Sequence, residues 1–240
     1  MLVAILLVLT LGYQALILWR GRLMAGWRIG FAAPHLRWAS GLWLGYGVPA
    51  LLGLLAIGGL NAIGAMPLAF LPLGQAIGVV PGTIAPVTIA LGLGGGSLLG
   101  LVLTWWRARR GRGPWVLGDA RSIMPRGDAD LWPAAVLALS AGVTEELFFR
   151  LWLPLIVALA CGSGATGMAV ATVAFAAMHR YQGWAGMAAN LVGGALLAVL
   201  YLGTGALWVP IGVHALVDLN AIVLRPFIAS RVSSSAASRS

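Results

Sequence analysis

Apolar residues run through the chain in long blocks separated by short polar stretches. This is the pattern of helices that cross a bilayer, not of amphipathic elements around a soluble core. The first block, residues 2–19, is stopped by Arg20 and Arg22. It has the length of one crossing and lacks the basic leader and small-residue cleavage site of a secretory signal, so it predicts a retained span. A polar stretch at roughly 20–40 follows, with four arginines, Pro34 and His35. A second span is expected at 42–60, where Gly41 and Gly45 form a G-x-x-x-G suited to close helix contact. In a chain with 34 glycines, chance produces the same spacing. Residues 61–83 are apolar but interrupted by Pro67, Pro72 and Pro81, which predicts a re-entrant or interfacial segment. A clear span at 84–105 closes on Trp105, Trp106 and Arg107, an aromatic belt followed by charge. Residues 107–130 form the one substantial hydrophilic loop.

Beyond it the texture changes. A span is expected at 131–149, a short separate helix at 151–161, and further spans near 165–180, 184–202 and 206–224. Residues 226–240 are rich in Ser and Ala and read as a disordered tail. The expected fold is all-α: a polytopic transmembrane helical bundle of seven to eight membrane helices. It divides into N-terminal helices and loops (1–130), a second membrane region (131–225) and the tail (226–240).

Composition supports this. The hydrophobic fraction is 60%, the charged fraction 9%, and the mean hydropathy +0.95. So few charges cannot solvate a globular surface, whereas an apolar exterior is the norm in lipid. The net charge is +9, and all 15 basic residues are Arg. Their place between apolar runs, at Arg20–Arg37 and Arg107–Arg126, fits loop charge facing anionic headgroups of membrane lipids. Nucleic acid is not the expected partner, because the basic clusters lack aromatic interleaving and a soluble fold. Cys161 is the only cysteine, so no intrachain disulfide forms.

Candidate chemistry lies where charge is out of place. Of six acidic residues, Asp119, Asp128 and Asp130 fall in the hydrophilic loop. Glu145, Glu146 and Asp218 fall in apolar segments, as do His179 and His214. An ionised group at bilayer depth costs about 3 kcal/mol on insertion scales, so such residues are functional candidates. Glu146 and Arg150 are i,i+4 in the favourable order and read as a neutralising pair. Glu145 points about 100° away and is left available as a general base. Phe175 and His179, then His214 and Asp218, are also i,i+4. No convincing serine or cysteine nucleophile accompanies them: Ser140 and Ser163 lack a local partner, and Cys161 lies on a short Gly-flanked segment. Water activated by a carboxylate is the nucleophile that remains. Two histidines and a glutamate (Glu145, His179, His214) are also the ligand set of many catalytic zinc sites, although the H-E-x-x-H spacing is absent.

The series E-E-x-x-x-R (Glu145, Glu146, Arg150), F-x-x-x-H (Phe175, His179) and H-x-x-x-(N/D) (His214, Asp218) resembles the CPBP family. These are the CAAX-protease and bacteriocin-processing type of intramembrane protease, formerly grouped with abortive-infection proteins. The resemblance covers about residues 131–224. It implies that Glu145 activates the attacking water, that His179 positions it, and that His214 and Asp218 face the oxyanion. Glu146, Arg150 and Phe175 are then supporting residues. The family's eukaryotic endopeptidases carry Asn at the last position. An Asp donates a hydrogen bond only when protonated, so Asp218 either faces the oxyanion or orients His214. The expected substrate is a membrane-associated peptide or protein C-terminus, and the expected setting a bacterial-type plasma membrane.

Two rival readings use the same residues. Glu, His and Asp chains at bilayer depth also make proton relays in transporters, but the repeats and broken helices of that architecture have no counterpart here. A non-catalytic scaffold or immunity protein could keep the fold and bind a partner. The arginines place the 20–40 and 107–130 loops in the cytoplasm. If 151–161 spans separately, Arg225, Arg231 and Arg239 fall outside, against that rule. If it does not span, Glu145 and His179, each expected near a helix end, lie toward opposite faces. The shared site outweighs the charge count, which favours a short crossing helix bent at Gly162–Gly164.

Overall fold

The computed structural model describes residues 1–20 and 33–237, so Arg22, Arg28 and Arg239 lie outside the described residues. Among the described residues there are eight helices and no strands. They are α1 (Leu2–Arg20), α2 (residues 34–56), α3 (Leu71–Ala76), α4 (Pro86–Ala108), α5 (residues 131–161), α6 (Gly164–Met178), α7 (Gly183–Thr204) and α8 (residues 208–237). Five helical segments are long and apolar enough to cross a membrane: Leu2–Trp19, Pro34–Ala56, Pro86–Ala108, Arg180–Thr204 and Trp208–Ser233. α6 is a shorter apolar helix. The expected all-α membrane bundle is what forms, and 61–83 holds only 3-10 turns and the short α3.

Three helices carry a wide π turn, at Trp43–Gly47 in α2, Leu147–Trp152 in α5 and Asn220–Leu224 in α8. Each turn stops two residues short of a proline: Pro49, Pro154 and Pro226. Proline has no N–H and its ring displaces the carbonyl four residues back. The ladder therefore widens just before it. The N–H of Val48 reaches the Trp43 carbonyl, that of Leu153 reaches Phe148, and that of Arg225 reaches Asn220, each five residues back.

The observed helix boundaries correct three sequence expectations. Residues 131–149 and 151–161 are one continuous helix, because Pro154 widens it and does not break it. α5 ends instead at Gly162, which takes a left-handed conformation (φ 74°), and the Ser163 Oγ caps α6 by accepting the Thr166 N–H. Likewise the last helix does not stop at 224 but continues through Arg225 and Pro226 to Ala237, replacing the expected tail. The second span begins at Pro34, eight residues before the expected start of 42, with proline at the first helical position.

In the continuous α5, Glu145 lies in the middle of a helix and not at its end. α8 then returns to the side of the 107–130 loop, where the Arg231 guanidinium donates to Asp128 at 2.9 Å. Arg225 Nε donates to Thr104 on α4 at 3.1 Å.

α5 is the centre of the bundle, contacted by α1, α2, α6 and α8. Residues Leu147–Leu153 are all buried, Arg150 included. Gly53 on α2 makes room for Trp152, since a Cβ there would sit 2.4 Å from the indole. Trp152 Nε1 in turn donates to Thr10 Oγ1 on α1 at 3.2 Å. The hydrophilic loop is tied down at two points. His35 Nε2 donates to the Ile123 carbonyl at 3.1 Å, and the Asp119 N–H donates to the Gln182 carbonyl at 2.9 Å.

Candidate active site

The polar residues of α5, α6 and α8 converge. Glu145 Oε2 lies 3.9 Å from His179 Nε2 and 4.0 Å from His214 Nε2. Neither separation is a direct hydrogen bond, and both are short enough for one water to bridge. Glu145 Oε2 is buried with no hydrogen-bond partner among the described residues, which leaves it free to take one.

Each imidazole is held from its far side. His179 Nδ1 lies 2.8 Å from the Phe175 carbonyl one helical turn back. His214 Nδ1 lies 2.8 Å from Glu146 Oε1. Donation from both Nδ1 atoms turns both Nε2 atoms toward Glu145. Phe175 braces the pair, with its ring 4.7 Å from His179 and 6.0 Å from His214 between centroids.

Behind this lies a second tier. Arg150 Nε is 3.1 Å from Glu146 Oε2, and its guanidinium stands 4.4 Å over the Phe175 ring. Both charges are fully buried, so each depends on the other. The expected Glu146–Arg150 pair is present, but Glu146 does more than accept neutralisation: it reaches across to α8 and orients His214. Asp218 does not fill that orienting place. Its Oδ2 is 3.6 Å from His214 Nε2, on the opposite side of the ring from Glu146. A chain of polar contacts thus runs from Arg150 through Glu146 and His214 to the Glu145–Asp218 side.

Glu145, His179, His214 and Asp218 line one cavity of about 280 Å³. Its polar wall includes Gln182 and Asn190, joined by a 3.0 Å hydrogen bond. Its apolar wall includes Ile17, Leu42 and Leu137, and Ser122 and Ile123 of the loop lie at its edge. The π turns border it through Tyr46, Phe149 and Ile222, in keeping with the frequent use of such turns at functional sites. The sequence reading did not find Tyr46, Tyr181, Gln182 or Asn190. An aromatic or amide residue in or beside a span is common and carries no spacing signal.

The set Glu145, His179 and His214 was considered for zinc. Donors on one tetrahedral zinc lie about 3.4 Å apart, given bonds of about 2.0–2.1 Å. Here the carboxylate is 3.9 and 4.0 Å from the two nitrogens. Among the described residues, no group of three or more His, Cys, Asp or Glu side chains is arranged to hold a metal ion. The donors do not fit, and no step is assigned to a metal.

The site is thus a carboxylate set opposite two imidazoles inside an all-α membrane bundle. Residues 127–220 match the family model of type II CAAX prenyl endopeptidase Rce1-like proteins. The match contains every residue of the three motifs, so the CPBP-type resemblance holds for this region. No curated protein and no solved structure gives a significant match.

Proposed function

We propose that the protein is an intramembrane endopeptidase that hydrolyses membrane-associated peptides or protein C-termini, in a bacterial-type plasma membrane. The observation that carries this reading is the position of Glu145 Oε2 opposite the Nε2 atoms of His179 and His214. A water in that gap donates to the carboxylate and to an imidazole, which leaves an oxygen lone pair for the peptide carbonyl. Glu145 takes the water proton as the oxygen bonds to the carbonyl carbon, then returns it to the departing amine. Burial between four helices keeps bulk water out and strengthens each electrostatic contact. Arg150 and Glu146 fix His214 without touching the reacting atoms.

The test is cleavage of membrane-anchored peptides by the purified protein in lipid nanodiscs. Parent, Glu145→Gln and His179→Ala are compared after each is shown to insert and fold. Hydrolysis by the parent alone is expected. Undiminished hydrolysis by Glu145→Gln removes the assigned base. Proton flux across reconstituted vesicles, lost in the same variants without any cleavage, replaces the peptidase with the transporter.

A further inference from the structure

One buried tyrosine lines this cavity and belongs to no motif. Tyr46 lies on the π turn of α2, outside the region that the family model matches. Its ring is gripped by Phe148 at 5.2 Å and Phe149 at 5.1 Å between centroids, the two residues that follow Glu145–Glu146–Leu147 on α5. The residue is only 3% exposed, yet it lines the cavity that holds Glu145, His179 and His214. The hydroxyl makes no hydrogen bond to the described residues. It is also not sealed among other atoms, unlike the buried, unpartnered hydroxyl of Tyr201.

The reaction needs such a group. When water adds to a peptide carbonyl, the C=O electron pair moves onto oxygen, and that charge requires a preorganised donor. At the i+4 position after His214 stands Asp218, which as a carboxylate accepts and does not donate. Of the other polar side chains at the cavity, the Asn190 amide has both hydrogens used, on Gln182 and on the Gly186 carbonyl, and Tyr181 and Arg180 are exposed.

We propose that the Tyr46 hydroxyl is a catalytic hydrogen-bond donor to the oxyanion of the tetrahedral intermediate, supplying what Asp218 cannot. The proposal rests on the peptidase reading above. Tyr46 keeps its proton throughout. The water proton goes to Glu145, the C–N bond breaks, and the amine leaves with that proton.

Tyr46→Phe keeps the ring and its packing on Phe148 and Phe149 and removes only the hydroxyl. Its kcat on a membrane-anchored peptide is expected to fall about 10²- to 10³-fold, the cost of one oxyanion donor, with KM and the thermal unfolding midpoint unchanged. Asp218→Asn places an amide donor beside the same oxyanion. Added to Tyr46→Phe, it is expected to restore activity about tenfold or more, a rescue that a purely structural role would not produce. Activity of Tyr46→Phe within about threefold of the parent overturns the proposal. A fall without rescue, or with a lowered unfolding midpoint, overturns it too. If Glu145→Gln is inactive in the same assay while Tyr46→Phe is not, only the donor falls. If the parent itself does not hydrolyse, the peptidase reading falls and takes the donor with it.

Discussion

Helices α4 and α5 read alike in sequence, as apolar segments rich in small residues, but they live in different surroundings. Only 6% of the α4 span is buried, and Gly92, Gly94, Gly95 and Gly96 have open space where a side chain would stand. α5 is enclosed, and Gly142 is pressed so closely on α8 that a Cβ would lie 2.8 Å from the Ala215 Cβ and 2.9 Å from its backbone nitrogen. Lipid solvates apolar surface, so α4 needs no neighbours. α5 carries Glu145, Glu146 and Arg150, which lipid cannot solvate, and its neighbours must seal and pair them. The same residue type, glycine, fills a surface in one helix and permits contact in the other.

The sharpest way to break this contrast is to unbalance the sealed charges. Arg150→Met should leave Glu146 buried without its cation. The expected cost is about 3–5 kcal/mol, seen as failure to purify or as a sharply lowered unfolding midpoint in detergent. Near-parental stability would mean that Glu146 is neutral or wet. Next in size, Gly142→Ala should destabilise by about 1–3 kcal/mol through overpacking against α8. Gly95→Ala, made in parallel, should move the midpoint by no more than about 0.5 kcal/mol. Equal effects from the two would erase the distinction between the helices. The smallest effect concerns the loop outside the membrane. The Arg121 guanidinium bonded to Asp119 pulls that carboxyl down to about 2. A depressed folded-state value means that the contact is present above the unfolded carboxyl range and is lost only as pH falls through the folded value. An NMR titration of Asp119 should therefore show it ionised down to about pH 2.

Much of the site was legible because charge in an apolar run is costly and the pairs recur at i,i+4. Glu146–Arg150 and His214–Asp218 could be paired on one face from spacing alone. What spacing could not supply is which helices meet, so the bond from Glu146 to His214, 68 residues away, came only with the fold. The expected boundaries fell at Arg150 and Arg225, charged residues in apolar runs, yet the chain stays helical through both and answers Pro154 and Pro226 with a wider turn. Tyr46 was invisible because an aromatic residue inside a span is ordinary, and its significance depends on the cavity that it borders.

The central claim is that Glu145 and His179 act on one water. Turnover of a membrane-anchored peptide by Glu145→Gln, His179→Ala and the double variant tests it most directly. If both side chains hold the same water, the double variant should be no slower than the slower single variant, as for residues that act as a unit. Losses that multiply would show the two groups working independently and would contradict the account.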